Sequence, residues 1–255
     1  NSLQSLTDQA HEALRGGDPQ ATTILNDERG PLWYRGLSGV EPVAAPGTVT
    51  AILAQNYALQ CMRRAEAIVA ISQFSKEEFL RYCRFAADKA HVIYLGVGDI
   101  FFQQKDQEAC RAFRRRWNVE GRHVLIVSGR TDPHKNIEGT LQVFHHLLKT
   151  GLPVTLVKIG SAFTPSQRAL LDRLDLKPFV RELGMVAKED LPRVYQSGDA
   201  LLFLSWYEGF GFLAPEAMAS GTPVVVSNRG SLPEIVGEAG RIVDPGNIQE
   251  AAAAL

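Results

Sequence analysis

Residues 123–160 read HVLIVSGRTDPHKNIEGTLQVFHHLLKTGLPVTLVKIG. HVLIVSG (123–129) is apolar without alternation and ends on a small residue and a glycine. That is the composition of a strand buried on both faces, as in a parallel sheet covered by helices. GRTDPHKN follows as a polar loop, IEGTLQVFHHLLKT carries helical periodicity, and VTLVKIG (154–160) is a second apolar strand. Strand, loop, helix, strand is the βαβ unit, in which the two strands run parallel.

Working outward, the same punctuation recurs. SQRALLDRL reads as a helix, VRELG (180–184) as a strand and KEDLPRVYQSG as a short helix. ALLFLS (200–205), PVVVSN (223–228) and GRIVDP (240–245) read as strands with helical segments between them. Upstream, Asp106 to Trp117 is helical, and AIVAIS (67–72) and HVIYLGV are strands. SKEEFLRYCRF lies between those two as a helix, with Ser75 as N-cap and Glu78 closing a capping box. Thr48 to Glu66 is helical, and the Gly- and Pro-rich stretch before it reads as turns around short elements. The predicted fold is α/β, with two Rossmann-like domains built on parallel sheets and the first of them incomplete. The predicted boundaries are 1–100 for a partial amino-terminal Rossmann-like domain, 101–121 for a linker, and 122–255 for a carboxyl-terminal Rossmann-like domain.

Composition narrows the function. The chain has 255 residues, 45% hydrophobic and 22% charged, with a formal net charge of −1. A broad nucleic-acid footprint needs a basic excess, so nucleic acid is not an expected partner. No apolar run approaches the length of a membrane span. No signal peptide is visible, and the chain starts at Asn1, which reads as a fragment. Cys61, Cys83 and Cys110 are far apart and form no metal-ligand spacing, so no metal is expected and a reducing cytoplasm fits. Arg111, Arg114, Arg115 and Arg116 read first as a solvated helix face; the rival reading is peripheral contact with an anionic inner membrane face.

Ligands of open parallel sheets bind at the carboxyl ends of the strands. GRTDPHKN, GSAF, MVAKED and WYEGFGF all follow strands, which brings Arg130, Lys135, Glu208 and Glu216 to one edge. Arg130 and Lys135, beside Gly129, suit a pyrophosphate; the alternative is a solvated loop. The turn Gly209, Phe210, Gly211 leads through Phe212, Leu213 and Ala214 into a helix with Pro215 in its first turn, and the amides of that turn form an anion site. Glu208 and Glu216, eight residues apart, suit two parts of one extended ligand better than one acid/base pair. Glu216 reads as a ribose ligand, or else as a charge that complements the helix dipole. His11, His134, His145 and His146 read as surface or packing residues, with His134 in alternative reach of phosphate. Trp33, Trp117 and Trp206 read as core or cleft-wall aromatics.

The E-x7-E of Glu208 and Glu216, followed by AMASGTPVVVSNRGSLPEIVGEAGRIVDP, closely resembles the GT-B-fold retaining glycosyltransferases of family 4 in their carboxyl-terminal domain. VSGRTDPHKN resembles that family's phosphate loop, and ELGMVAKEDLPRVYQSGDALLFLS the segment that holds the base. AEAIVAISQFSKEEF and HVIYLGVGDIF resemble the end of its first domain and the crossover. The resemblance covers about residues 65–255, with residues 123–245 the most specific part. It implies that Glu208 contacts the transferred sugar and that Arg130 and Lys135 neutralise the diphosphate. It further implies that Glu216 binds the ribose, that Gly129 and Gly209 to Ala214 supply backbone contacts, and that Met185 and Val186 border the base. Ser72 stands at a position near the first-domain side of the cleft.

The implied reaction moves a hexose, with mannose favoured, from GDP-mannose or a UDP-hexose to an acceptor hydroxyl with retention of configuration. The setting is polysaccharide or glycolipid assembly, and no cofactor is needed beyond the nucleotide-sugar substrate. The acceptor is a glycan or a lipid-linked sugar. Two departures stand out: the opening strand and Gly-rich loop of the family's first domain are not readable, and the chain ends before its last helix. The alternatives are therefore an inactive sugar-nucleotide-binding fragment, or a phosphorylase or sugar-nucleotide epimerase on the same fold.

Overall fold

A computed structural model describes residues 61–255. The expectations for His11, Trp33 and the segment before residue 61 lie outside the described residues. The chain divides into two compact units between Leu95 and Gly96.

In the first unit, β1 (Ile68–Ala70) and β2 (Ala90–Val92) pair in parallel, with Ile68 opposite Ala90. Helix α1 (Gln73–Tyr82) connects them. Its N-cap is Ser72, not Ser75: the extended backbone of Ser72 lets its hydroxyl accept the Ser75 N–H at 3.0 Å. The helix thus starts before Ser75, whose own hydroxyl is bonded to Ser72, and Glu78 pairs with Arg81 instead of closing a capping box. The Lys89 ammonium gathers the carbonyls of Met62, Arg63 and Ala65 at 2.7–2.8 Å, a cation at the end of the preceding helix. Met62, Ala65, Ile68, Cys83 and Ala86 form a small core, and burial pushes the Cys83 thiol up.

The second unit is a six-stranded, all-parallel sheet. Its strands are β3 (His123–Val127), β4 (Val154–Ile159), β5 (Val180–Gly184), β6 (Ala200–Phe203), β7 (Val224–Ser227) and β8 (Arg241–Val243). They lie in the spatial order β5-β4-β3-β6-β7-β8. That is the doubly wound order, which reverses direction between β3 and β6. The helices are α2 (Gln107–Arg116), α3 (Ile137–Lys149), α4 (Pro165–Arg173), α5 (Leu191–Ser197), α6 (Leu213–Ala219), α7 (Leu232–Val236) and α8 (Ile248–Ala253).

The apolar runs are explained by two cores, one on each face. Leu125 and Val127 of β3 pack with Leu141 and Phe144 of α3, Leu171 of α4 and Ala251 of α8. Val124 and Ile126, pointing the other way, pack with Tyr195 of α5, Ala217 of α6 and Leu232 of α7. The segment 101–121, read from sequence as a linker, contributes Phe101, Trp117 and Val119 to this second core.

Candidate functional site

The reversal point of the sheet brings together the loops after β3 and β6. After β3 the chain turns at Gly129, whose φ is +101°, and passes Arg130 to Asp132 before a 3-10 turn, Pro133–Lys135. Asn136 then adopts the left-handed conformation (φ 52°, ψ 44°) and caps α3 by accepting the Gly139 N–H at 3.2 Å. Its Nδ2 donates to the carbonyls of Leu204 at 3.1 Å and Pro245 at 3.2 Å. One buried side chain thus ends the β3 loop, starts a helix and binds the exit of β6. The Trp206 N–H adds a second tie, to the His134 carbonyl at 2.7 Å.

These ties set Lys135 against Glu208. The ammonium lies 2.9 Å from Oε1, both side chains are 3% exposed, and Lys135 also stands 5.6 Å from the ring centre of Phe203. Glu208 is held from behind as well. Its carbonyl accepts the N–H and hydroxyl of Ser231, each at 3.1 Å. A Cβ on Gly230 (φ +62°) would come within 2.6 Å of that carbonyl, so only glycine lets the two segments approach. Arg130 is different: its side chain is 49% exposed and donates to Asp132 at 2.8 Å.

Gly211 (φ +81°) makes the turn into α6, and a Cβ there would strike Leu232 at 2.5 Å. Phe210 is buried and packs on Phe212 with ring centres 4.9 Å apart. The Ala214 N–H goes to the Gly211 carbonyl at 3.1 Å, so this amide is not one of the outward-facing donors expected from the sequence; the tight turn takes it. Glu216 lies in the first turn of α6, half-buried, with one carboxylate oxygen accepting the Tyr195 hydroxyl at 3.3 Å.

The structure therefore joins Glu208 and Lys135 directly, puts Gly129 and Arg130 on the same loop as Lys135, and holds Glu216 with a partner of its own. Met185 and Val186 follow β5 further along the same strand-end edge. Met185 is 83% exposed, while Val186 leans on the second core. At the ends of β4 and β5 lies an open pocket of about 450 Å³, lined by residues including Lys158, Ser161, Arg168, Glu182 and Gly184. In the first unit, Ser72 is buried as a helix cap.

Sequence reasoning missed Asn136, Ser231 and Lys158. Asn136 carried a signal, an Asn directly before a helical run, which marks an N-cap. Of the basic run on α2, Arg114 bonds Asp199 at 2.7 Å and Arg115 bonds Glu108 at 2.9 Å, as a solvated, paired helix face does. Trp206 is 45% exposed beside the site and Trp117 is core; His145 and His146 are half-buried on α3. Among the described residues no group of three or more His, Cys, Asp or Glu could hold a metal, and no helix is long and apolar enough to cross a membrane.

Comparison with known proteins meets this geometry. The family model described as glycosyl transferases group 1 matches residues 111–255. The O-antigen chain mannosyltransferase B of Escherichia coli is 32% identical over 187 residues, covering 72% of this chain and 49% of that protein. The MMP alpha-(1->4)-mannosyltransferase of Mycolicibacterium hassiacum is 29% identical over 197 residues, covering 76% of this chain and 45% of that one. The chain thus spans about half the length of the curated relatives it matches. Among solved structures, Anabaena Alr3699/HepE, crystallised with UDP and glucose, superposes with a TM-score of 0.74 at 24% identity, over 99% of this chain and 65% of that one. The parallel sheets, their order and this likeness give the GT-B architecture. With more than half of the chain inside the family model, and a doubly wound sheet carrying its polar groups at the reversal point, the protein belongs to the group 1 glycosyl transferases.

Proposed function

We propose that the chain is the donor-binding part of a retaining glycosyltransferase that moves a hexose, with mannose favoured, from a nucleoside-diphosphate sugar to an acceptor hydroxyl. The carrying observation is the contact of Lys135 with Glu208 across the loops after β3 and β6, at the reversal point of the sheet, with the half-exposed Arg130 on the same loop as Lys135. The names of the mannosyltransferase relatives support mannose and support polysaccharide or glycolipid assembly as the setting.

In this reading the diphosphate lies against Gly129 and Arg130. The Lys135 ammonium has three N–H donors and gives one to Glu208, leaving it able to serve ligand and carboxylate together. Glu208 faces the sugar, Glu216 the ribose hydroxyls, and the backbone of Gly209 to Ala214 approaches the ligand closely. Met185 and Val186 border the base beside the open pocket. The bond from the anomeric carbon to the diphosphate oxygen breaks, and the acceptor oxygen attacks from the same face. Its proton passes to the departing diphosphate. Negative charge grows on that diphosphate in the transition state, so Arg130 and Lys135 act where stabilisation accelerates the reaction. Those two cations do the work of a divalent metal, so transfer is expected to survive EDTA.

Calorimetry with GDP-mannose, UDP-glucose, GDP and UDP tests the reading. One nucleotide class should bind, and Glu216→Ala should weaken it about tenfold, the loss of one good polar contact. A folded sample that binds none of the four would overturn the donor site. Product analysis by NMR then separates retention from inversion, and binding without transfer would leave a sugar-nucleotide-binding module.

A further inference from the structure

Lys158 is the penultimate residue of β4, a strand whose six residues are all buried, and Lys158 itself is 1% exposed. An ammonium there loses its water and persists only if every proton finds an acceptor. All three do. Nζ donates to the carbonyls of Ile159 at 2.7 Å, Gly129 at 2.8 Å and Ser161 at 3.1 Å. Those carbonyls belong to the loop after β3 that carries Arg130, to the end of β4 and to the loop after it.

The two loops are pressed together at this knot. The Gly129 N–H bonds the Ile159 carbonyl at 3.1 Å, and the Ser161 N–H bonds the Gly129 carbonyl at 3.3 Å. A Cβ on Gly160 would stand 2.5 Å from the Gly129 oxygen. The pairing of β4 with β5 is also irregular between Lys158 and Ile159, so the strand end is turned at this point. The Gly129 carbonyl shares one planar trans peptide unit with the Arg130 N–H. Drawing the carbonyl inward to Lys158 therefore turns that N–H to the opposite side, away from Lys158.

We propose that Lys158 is a positioning residue for the diphosphate loop: its buried ammonium fixes the Gly129 carbonyl and thereby the placement of the Arg130 peptide. This rests on the reading of the loop as a nucleoside-diphosphate site. It concerns a buried residue on the wall of the pocket at the ends of β4 and β5, acting on the loop through the backbone.

The knot depends on protonation. Burial brings the Lys158 ammonium down to about 8, with the Glu182 carboxylate acting in the opposite direction. Glu182 stands opposite Lys158 on β5 and is itself held by Arg168 of α4 through two bonds of 2.9 and 3.1 Å. On the β3 loop the charged neighbours are Arg130 and its partner Asp132. As pH rises through about 8, the amine keeps two N–H donors and turns a lone pair toward the third carbonyl, so the hold on the Gly129 peptide weakens while the two backbone bonds between the loops remain.

The test uses the whole chain with whichever of UDP or GDP it binds more tightly, and the matching nucleoside as control, by ligand-observed NMR and calorimetry. The wild type should lose about fourfold in diphosphate affinity between about pH 7 and about pH 8.5 while nucleoside binding stays level, a window above the phosphate ionisation near 6 and below the ionisation of the base N–H. Lys158→Met should start about tenfold weaker for the diphosphate at pH 7, show a flat profile and leave the nucleoside unchanged. A residue with only a structural role would move nucleoside and diphosphate together, or neither. A wild-type profile that is flat for the diphosphate overturns the proposal without any variant. So does a folded Lys158→Met, or Lys158→Gln if Met does not fold, with wild-type affinity and pH dependence. A wild type that binds no nucleotide at pH 7 overturns the donor-site reading itself, and this proposal with it.

Discussion

Lys135 and Glu208 form a pair that water scarcely reaches, 2.9 Å apart with each side chain 3% exposed. Removing one partner leaves the other charged and buried, a change that costs about 3–5 kcal/mol in such pairs. Lys135→Met and Glu208→Gln should each lower unfolding free energy in urea by an amount of that order. The double variant Lys135→Met, Glu208→Leu should recover most of it, and additive losses would show that the two do not depend on each other. Lost activity in either single variant has to be read against this instability. The pair was not legible in the sequence, because the partners are 73 positions apart and nothing local announces that a loop lysine and a turn glutamate will meet. Lys158 was hidden differently. In VTLVKIG it reads as one charged residue in an apolar run, and only the position of three carbonyls explains it.

The inner strands β3, β4, β6 and β7 were legible because they are almost wholly buried and therefore lack the alternation that a half-exposed sheet would show, whereas the edge strands β5 and β8, partly exposed, were marked by their short apolar runs and flanking glycines. Helix starts were less so. Ser72 and Ser75 both satisfy the cap pattern, and the choice was made by where β1 ends. At α3 the cap is Asn136, which must also sit at φ 52°. Asn136→Gly keeps that backbone but loses the cap and both ties to Leu204 and Pro245. Asn136→Ala adds the left-handed penalty, so it should be the less stable of the two by about 1 kcal/mol in chemical denaturation. Equal stability would mean that the backbone there relaxes. Glycines at loop tips divide in the same way. Gly151 (φ +84°) faces open space, and Gly151→Ala should cost about 1 kcal/mol. Gly160→Ala should cost about 1–3 kcal/mol, since its Cβ would also meet the Gly129 carbonyl.

At the scale of the molecule, the Lys158 ammonium makes stability depend on pH. The folded value is about 8 against 10.5 for an ordinary lysine. Between those values the unfolded chain binds more protons than the folded one, so unfolding free energy rises with pH across that window. The rise is at most about 3 kcal/mol, because 2.5 pH units at 1.36 kcal/mol each set the ceiling. Urea denaturation at pH 8 and 10 should show it in the wild type and not in Lys158→Met. Stability and diphosphate affinity would then move in opposite directions with rising pH, which a general loosening of the fold cannot do.

The reversal between β3 and β6 has a kinetic meaning. Strands β3, β4 and β5 are successive neighbours, and so are β6, β7 and β8. Each trio closes through single helical crossovers, whereas β3 meets β6, which follows it only after β4 and β5, through Leu125 opposite Ala200 and Ile126 opposite Leu201. The Lys135–Glu208 pair, the Asn136–Leu204 bond and the Trp206–His134 bond all span that same junction. Closing it carries the largest loop entropy in the sheet, so it comes late in folding. Helical signal should return in a refolding experiment before nucleotide binding does, and the lag between the two times the joining of the halves.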